Sequence, residues 1–401
     1  MHLAQLLVLG CSIVASGYQL FQVVAAHRFF RRARREAERQ RAVGLPPVTL
    51  LKPLKGEGID LYANLASFCR QDYPAPYQIV CGVADASDPA AEIVRRLKRD
   101  FPHRDIVLAV GSGPGANRKV GSLIHMMGQA RHDVLVMSDA DIRVRPDYLR
   151  AMVTPLAAYP HVGLTTCLYR GRGYFGRPSV VESLFINTDF IPMVLTAHWV
   201  QGVNALGASI AIRREALDQM GGFPAIRDFL ADDNELGTRA QRDGWRLTLL
   251  PYVVETVLDS TTMRDVWRHQ FRWARTYRVC QPVGWFASVI THAMLWGTAS
   301  VIVTGGSAVG WTALGAAIVC RVGGLAAIMR LLREPETPRH LWLVPLKDLC
   351  YSGIWLLSWF GKHVTWSGQV LRVDADGRMA PVGAPATAFD EPSAPLRVTG
   401  S

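Results

Sequence analysis

The chain contains two long stretches without a charged side chain, and they divide it into three regions. No Asp, Glu, Lys or Arg occurs from Leu3 to Ala26 or from Gln281 to Cys320. A membrane helix needs about 20 mainly apolar residues, so each stretch is long enough to cross a bilayer. The residues between about 45 and 275 carry mixed charge, which predicts a water-exposed domain between the membrane segments.

The middle region alternates short apolar runs with segments of helical periodicity. The runs are rich in Val, Ile and Leu, and they are PPVTLLKPL (46–54), YQIVCGVAD (77–85), DIVLAV (105–110) and DVLVMSDAD (133–141). The segments between them, such as PAAEIVRRLKRD, have apolar residues at helical spacing. This alternation predicts an α/β domain with a mostly parallel sheet, in which ligands bind beyond the carboxyl ends of the strands.

The first apolar segment predicts a retained membrane anchor. A signal peptide has a positive charge before a short apolar core, whereas here the basic cluster HRFFRRARREAERQR (27–41) follows a long apolar run. We therefore expect residues 1–26 to be an N-terminal transmembrane anchor and 27–45 a basic juxtamembrane linker in the cytoplasm. The cluster carries much of the net charge of +11, and no zinc-finger spacing or aromatic-interleaved basic strand supports nucleic-acid binding instead.

The C-terminal third predicts further membrane helices. Residues 281–362 have room for two spans joined by a turn at TGGS (304–307), and for a third candidate at 341–360. The third candidate contains a proline, a lysine and an aspartate, so it either spans the membrane or is re-entrant. Residues 363–401 predict a tail that is flexible after residue 373, where Pro, Ala and Gly become frequent.

Two carboxylates end the fourth apolar run. Asp139 and Asp141 are one residue apart, and in extended backbone such residues point to the same side. Two carboxylates repel each other unless a cation or a proton lies between them, and hard oxygen ligands suit Mg²⁺ or Mn²⁺. The pair predicts a metal site that also binds a substrate phosphate, although paired aspartates also occur as simple turn or cap residues.

Other charged residues lie near strand ends or helix starts. Asp85 ends an earlier run, and Asp88 with Pro89 directly after it is typical of a helix start. Arg118 and Lys119 lie in the Gly-rich stretch GPGANRKV ahead of a predicted helix. They could offer cations to a diphosphate, and the stretch is equally typical of a solvent-exposed turn.

Two motifs follow later in the chain. FLADDNELG contains the adjacent Asp232 and Asp233 at a predicted helix start, where acidic residues often serve as caps. RHQFRWARTYR contains Arg272 and Trp273 just before the C-terminal membrane region, where Trp and Arg are also typical of the membrane interface.

In this order, the motifs resemble those of the family 2 and family 21 glycosyltransferases, which are inverting, membrane-bound enzymes of GT-A fold that use nucleotide sugars. LLKPLKG, QDYP, SDPA and DIRVRPD are similar to ceramide glucosyltransferase. ANRKV, CLYRG, LADD, PYVVET and RWART are similar to the bacterial glycosyltransferase of hopanoid biosynthesis. The resemblance covers about residues 46–275 and the membrane plan, and it implies a GT-A nucleotide-sugar-binding domain over 46–280.

The resemblance implies a donor-binding role for several of these residues. Asp85 would lie at the uridine of a UDP-sugar, and Asp139 with Asp141 would hold the diphosphate through Mg²⁺ or Mn²⁺. The remaining residues that we expect to bind the donor are cationic or lie beside the catalytic base, and they are Lys52, Arg118, Lys119 and Asp232.

The resemblance also implies a catalytic set. Asp233 matches the base that takes the proton of the acceptor hydroxyl, and Arg272 with Trp273 matches an Arg-Trp pair beside the diphosphate and the acceptor. His269 takes a position that is usually Gln or Arg, where an imidazole can still form hydrogen bonds.

The implied reaction is transfer of a sugar from a UDP-sugar to a lipid hydroxyl at a bacterial inner membrane, with a multi-pass chain and the catalytic domain facing the cytoplasm. The preferred reaction is transfer of N-acetylglucosamine to a hopanoid polyol, and a bacterial ceramide glucosyltransferase is the alternative. A non-catalytic lipid-binding scaffold is the alternative from another class. VESLFINTDFIPMVLTAHWV (181–200) predicts either an interfacial helix that admits the lipid or a buried core helix.

Overall fold

The computed structural model describes residues 2–39, 43–174, 176–202, 205–361, 363–366 and 369–382. Its α-helices are α1 Leu3–Arg39, α2 Leu61–Cys69, α3 Pro89–Asp100, α4 Arg118–Met126, α5 Tyr148–Ala158, α6 Arg177–Phe185, α7 Ile191–Val200, α8 Arg214–Gln219, α9 Asp232–Arg242, α10 Met263–Cys280, α11 Pro282–Ala287, α12 Ala293–Val303, α13 Ala308–Leu331 and α14 Val344–Leu357. Its strands are β1 Val48–Pro53, β2 Tyr77–Val83, β3 Asp105–Val110, β4 Val134–Ser138, β5 Ile142–Arg143, β6 Val162–Arg172, β7 Ser209–Arg213, β8 Arg246–Val257, β9 His363–Trp366, β10 Gln369–Val373 and β11 Met379–Pro381.

The chain forms two compact units, each built from three separate stretches. The sheet unit comprises Arg39–Arg172, Val203–Asp259 and Lys362–Ser401. The membrane-helix unit comprises Met1–Glu38, Gly173–Gly202 and Ser260–Gly361.

The sheet unit contains an eight-stranded sheet in the order β3-β2-β1-β4-β7-β6-β8-β5. Strands β3, β2, β1 and β4 are parallel, and β6 is parallel to β8. Strand β7 runs antiparallel to both β4 and β6, and the short β5 runs antiparallel to β8. The predicted α/β domain with a mostly parallel sheet is therefore confirmed.

Helices cover both faces of this sheet, which explains why its central strands are apolar runs without alternation. Successive residues of β1 enter different cores: Leu50 packs with α2, α3 and α5, and Leu51 packs with α4, α8 and α9. Because β1, β2 and β4 are parallel, the residues that follow their carboxyl ends meet at one edge of the sheet.

The membrane-helix unit contains long apolar helices. Of the described residues, Leu3–Glu36, Arg177–Val200 and Ala308–Leu331 are long and apolar enough to cross a membrane. Pro282–Thr291 and Ala293–Val303 pass the same test together, with a bend of 51° between them. The TGGS turn falls between α12 and α13, as the sequence predicts. The third C-terminal candidate is mainly α14, which at 14 residues is shorter than the 20 or so that a span needs.

The segment predicted as an interfacial or a core helix is continuous from α6 to α7 through a π-helical turn at Ile186–Phe190. Most of this segment is buried. The π-helical turn ends at Phe190, two residues before Pro192, whose ring and missing N–H interrupt regular α-helical bonding.

Buried ion pairs explain how charged residues are tolerated in this unit. The Arg321 guanidinium of α13 donates to Asp189 at 2.5 Å and to Asp348 at 2.8 Å. The Lys347 ammonium of α14 contacts the same two carboxylates, at 2.5 and 2.8 Å. Gln19 of α1 accepts a further hydrogen bond from Arg321 at 3.1 Å. Two cations and two anions balance each other, and together they join α1, α13 and α14 to the π-helical turn.

Two segments differ from the sequence expectation. The part of the expected linker from 27 to 39 is helical within α1, because Arg, Ala and Glu are good helix formers. The tail contains a three-stranded antiparallel sheet in the order β11-β10-β9, and its last strand, β11, lies in the part after residue 373 that was expected to be flexible. Alternating apolar residues flank a DADG turn there, which favours a hairpin. Residues 383–401 of that tail lie outside the described residues.

We expect Arg321→Gln to destabilise the membrane-helix unit. Removing the cation leaves Asp189 and Asp348 to share Lys347 alone, and breaking a buried ion pair costs on the order of 3 kcal/mol. Thermal unfolding of the detergent-solubilised protein tests this, with the exposed Arg330→Gln in the last turn of the same helix as the control. Equal unfolding temperatures for both variants and the wild type would contradict it.

Candidate active site

The two aspartates predicted to hold a metal form a turn where β4 ends. Asp139 and Asp141 flank Ala140 between β4 and β5, and the Asp141 carbonyl accepts a hydrogen bond from the Val257 amide at 2.9 Å. Burial is the main cause that raises the pKa of Asp141 to about 7, and the negative charge of Asp139 contributes to the same shift. The turn therefore concentrates negative charge at the carboxyl end of a central strand.

Lys52 lies beneath this turn. Its side chain is fully buried, and its ammonium donates to the Asp139 carbonyl at 2.5 Å and to the Ser138 hydroxyl at 3.4 Å. The ammonium also lies 4.0 Å from the centre of the Phe68 ring. Burial lowers the pKa of Lys52 to about 8, although the neighbouring aspartates oppose this shift. Lys52 thus holds the backbone of the aspartate turn from within the core.

Lys119 joins this turn to the second acidic motif. It lies in the first turn of α4, which Asn117 caps by accepting a hydrogen bond from the Val120 amide. The Lys119 ammonium contacts the Asp139 carboxylate at 2.7 Å and the Asp232 carboxylate at 3.4 Å. Although burial opposes the shift, these carboxylates hold the pKa of Lys119 above its usual value. The two acidic motifs therefore form one site.

Asp233 is fixed by backbone amides at the start of α9. Its carboxylate accepts hydrogen bonds from the Gly207 amide at 2.6 Å and from the Asn234 amide at 2.8 Å. Gly207 is needed for this approach, because a Cβ there would lie 2.9 Å from the Asp233 Oδ2 atom. Burial and the charge of Asp232 raise the pKa of Asp233 to about 6. The carboxylate is oriented and basic enough to accept a proton near neutral pH.

The charges of the site fit a divalent cation. Asp139, Asp141, Asp232 and Asp233 lie together with the ammonium groups of Lys52 and Lys119. Within the described part of the chain, no group of three or more His, Cys, Asp or Glu is placed to hold a metal ion. Two carboxylates leave coordination positions for phosphate oxygens, which is how Mg²⁺ is usually bound with a nucleotide.

The residues after β2 take two different roles. Asp88 caps α3 by accepting from the Ala90 amide at 2.9 Å, with Pro89 as the first helical residue, as the sequence predicts. Asp85 is exposed and accepts hydrogen bonds from the Ser87 amide and hydroxyl, which hold the pKa of Asp85 below its usual value. Asp85 therefore remains ionised at the edge of the sheet that carries the aspartate turn. Arg118, in the first turn of α4, is also exposed.

The last predicted motif lies on α10 in the membrane-helix unit. His269 Nδ1 is 2.8 Å from the Glu182 carboxylate of α6, whose second oxygen accepts a hydrogen bond from the Ser260 hydroxyl. Glu182 is buried, so it fixes the orientation of the imidazole that stands where Gln or Arg is usual. Arg272 and Trp273 follow on the same helix and are half-buried.

Sequence reasoning missed three residues that organise these groups. Glu182 lies in the apolar segment 181–200, where a charged residue is itself a signal. Asn117 caps α4 through the Val120 amide, and an asparagine three residues before it is a local signal for such a cap. Gly207 donates to the carboxylate of Asp233, which lies 26 residues later, and no local pattern reveals that contact.

We expect Asp233→Asn to stabilise the protein against unfolding at pH 8. Because the folded state raises the pKa of Asp233 from 3.8 to about 6, ionisation of this group costs stability above pH 6. The gain should shrink as the pH falls from about 6 towards 4, where the wild-type carboxyl is protonated in the folded state. Unfolding temperatures across this range test it, with the exposed Asp243→Asn at the other end of α9 as the control. A destabilised Asp233→Asn at pH 8 would contradict it.

Known proteins share part of this sequence. Ceramide glucosyltransferase 1 of Caenorhabditis elegans is 28% identical over 190 residues, which are 47% of this chain and 41% of the relative. Beta-monoglucosyldiacylglycerol synthase of Synechocystis sp. is 28% identical over 263 residues, which are 61% of this chain and 52% of the relative. The chain thus spans about half the length of these curated relatives.

Among solved structures, a mannosyltransferase from Pyrobaculum calidifontis in complex with GDP-Man and Mn²⁺ covers 87% of this chain and 99% of its own, with 19% identity and a TM-score of 0.47. The sequence profile of Glycosyl transferase family 21 matches residues 7–379, nearly the whole chain. With its mostly parallel sheet the protein has the GT-A type of fold expected from the resemblance, and it belongs to glycosyl transferase family 21.

Proposed function

We propose that the protein is an inverting glycosyltransferase that moves a sugar from a UDP-sugar to a hydroxyl group of a membrane lipid. This proposal rests on one observation: the Lys119 ammonium contacts both the aspartate turn and the acidic pair at the start of α9. A donor diphosphate bound at the turn would therefore lie close to a carboxylate suited to act as a base.

The proposed reaction is a single displacement. The acceptor hydroxyl oxygen attacks the anomeric carbon, its proton passes to the Asp233 carboxylate, and the bond from that carbon to the UDP oxygen breaks. Attack from the face opposite the leaving group inverts the anomeric centre. Lys119 and Arg118 offer positive charge to the leaving diphosphate, and Arg272, Trp273 and His269 are assigned to the diphosphate and the acceptor by their motif.

Asp139 and Asp141 would hold Mg²⁺ or Mn²⁺. A bound divalent ion would supply positive charge for the diphosphate that grows more negative as the sugar departs. The chain's own contribution is the fixed turn, whose backbone Lys52 holds from the core. Asp85 is assigned to the uridine by its motif, at the end of a strand neighbouring β1.

The acceptor is proposed to be a lipid in the bilayer that the apolar helices enter. The names of the two relatives refer to glucosylation of ceramide and of a diacylglycerol lipid. The motifs ANRKV, CLYRG, LADD and RWART favour a hopanoid polyol with N-acetylglucosamine as the sugar, and glucose transfer to ceramide is the alternative. We further propose that the protein is a multi-pass protein of a bacterial inner membrane. The sheet unit would face the cytoplasm, where UDP-sugars are found, since the basic residues follow the apolar stretch at the start of α1.

A transfer assay with the purified protein tests the proposed function. UDP-glucose and UDP-N-acetylglucosamine are each offered with a hopanoid polyol, ceramide or diacylglycerol in the presence of Mn²⁺, and products are identified by lipid mass spectrometry. We expect one sugar to be added to one lipid class, and Asp233→Asn to lower kcat by at least about a hundredfold because the base is lost. Asp243→Asn should keep wild-type activity.

The product found in this assay distinguishes between the proposed acceptors and between an enzyme and a scaffold. A hopanoid that gains N-acetylhexosamine supports the preferred reaction. A hexosylated ceramide or diacylglycerol would show that the acceptor is a different lipid, and the proposed mechanism would still hold. Lipid binding without transfer for any donor, acceptor or metal would favour a non-catalytic scaffold and refute the enzyme.

We expect the activity to depend on a divalent metal held by the aspartate turn. EDTA should abolish transfer and added Mn²⁺ should restore it. Asp139→Asn and Asp141→Asn should each weaken Mn²⁺ binding, measured by electron paramagnetic resonance in the presence of UDP, by at least about tenfold. Asp133→Asn, at the opposite end of β4 and 96% exposed, is the matched control. Full activity in EDTA would contradict the metal assignment.

A further inference from the structure

The chain returns to the sheet unit after its last membrane helix. Strands β9, β10 and β11 form a small antiparallel sheet there, with β10 in the middle. Most apolar side chains of β10 and β11 are buried, including Leu371 at 2% and Met379 at 3% exposure, whereas Val370 is exposed. The β10–β11 pair, which we call the C-terminal hairpin (Gln369–Pro381), is therefore packed into the unit.

A tight turn forms the tip of this hairpin. The Asp374 carboxylate accepts hydrogen bonds from the Asp376 amide at 3.0 Å and from the Arg378 amide at 2.8 Å. Gly377 has φ = 85°, a left-handed conformation that residues with a side chain rarely adopt. The tip is thus specified by its own sequence.

The hairpin tip pairs with the loop that leads into the acidic pair. The Leu230 amide donates to the Gly377 carbonyl at 2.9 Å, and the Met379 amide donates to the Asp228 carbonyl at 2.6 Å. Between these bonds, Phe229 faces Arg378, whose guanidinium lies 5.4 Å from the ring centre. These contacts join the loop, residues 227–231, to the edge strand β11 through one isolated antiparallel bridge at Phe229.

The other side of the same loop holds the stretch that precedes Lys119. The Asn117 amide donates to the Arg227 carbonyl at 2.8 Å, and the Ala116 amide donates to the Asp228 carboxylate at 2.8 Å. The Asn117 side chain donates to the Phe229 carbonyl at 2.8 Å. The loop is therefore fixed between the hairpin and the cap of α4, and its next residues are the acidic pair.

We propose that the C-terminal hairpin is a strap that positions the base and the cation of the active site. It holds the 227–231 loop, and through this loop it sets where Asp233 and Lys119 stand. Gly377 and Arg378 are therefore positioning residues. Only the expected effect on transfer kinetics rests on the proposed function.

Two variants weaken the strap by different means. Gly377→Val strains the turn because valine disfavours φ = 85°. Arg378→Ala leaves the turn intact and removes the hairpin's own cation over Phe229, while Arg239 of α9 remains over the same ring. Gly244→Val is the matched control, since Gly244 has φ = 88° in a turn after α9 and has open space around it. Arg378→Ala keeps the inference testable where Gly377→Val does not fold.

Hydrogen exchange of the resting protein, without substrate, is the first measurement. We expect the amides of residues 116–117 and 228–234 to exchange at least about tenfold faster in both strap variants than in the wild type and in Gly244→Val. Unchanged exchange in both strap variants would overturn the strap, whatever the protein transfers.

The kinetic measurement is kcat per folded molecule in the transfer assay. We expect kcat to fall about tenfold or more in the strap variants, because small displacements of a base are costly, while KM for the donor changes less. Wild-type kcat in a folded strap variant would show that the hairpin serves stability alone. Absence of transfer by the wild-type protein would instead refute the proposed function, and the exchange result would still decide the strap.

Discussion

The contact of one ammonium group with two carboxylates is the interaction on which the candidate active site depends. Lys119 lies between Asp139, which follows a strand, and Asp232, which begins a helix. Without this cation, four carboxylates in a partly buried site would repel one another and separate the two acidic motifs. The excess negative charge that remains is what makes the site suited to a cation and to the cationic side chains that accompany a diphosphate.

The membrane-helix unit uses the same chemistry to a different end. Arg321 and Lys347 are fully balanced by Asp189 and Asp348, so this cluster has no excess charge to offer to a ligand. It joins helices that apolar packing alone would hold only loosely, because lipid tails compete equally well for apolar side chains. Comparison of the two clusters shows how net charge separates a site from a structural contact.

The sequence was sufficient for features that arise locally. The strand β4, the cap formed by Asp88, and the α/β class all follow from runs and motifs of a few residues. Asp139 and Asp141 lie in a turn and not in the extended backbone that their spacing suggested, because β4 ends at Ser138. The burial of Lys52 could not be predicted in this way, because LLKPLKG gives no sign that its first lysine points into the core. The pairing of Glu182 with His269, and of the hairpin with the 227–231 loop, joins residues that are distant in sequence. Such pairings depend on the fold as a whole, and a single sequence holds no local record of them.

The return of the chain to the sheet unit has a consequence for how the protein is made. Residues 369–381 are synthesised after the membrane helices, yet they pair with a loop near residue 229. Contacts so distant in sequence form late, because a long loop must close first, and the earlier parts of a nascent chain fold before them. With the hairpin as a strap, the sheet unit emerges from the ribosome incomplete and gains its final order only after the helices that follow it have entered the bilayer. Under the proposed function, transfer would then begin in the membrane that holds the acceptor, and a chain that fails to insert would consume little nucleotide sugar.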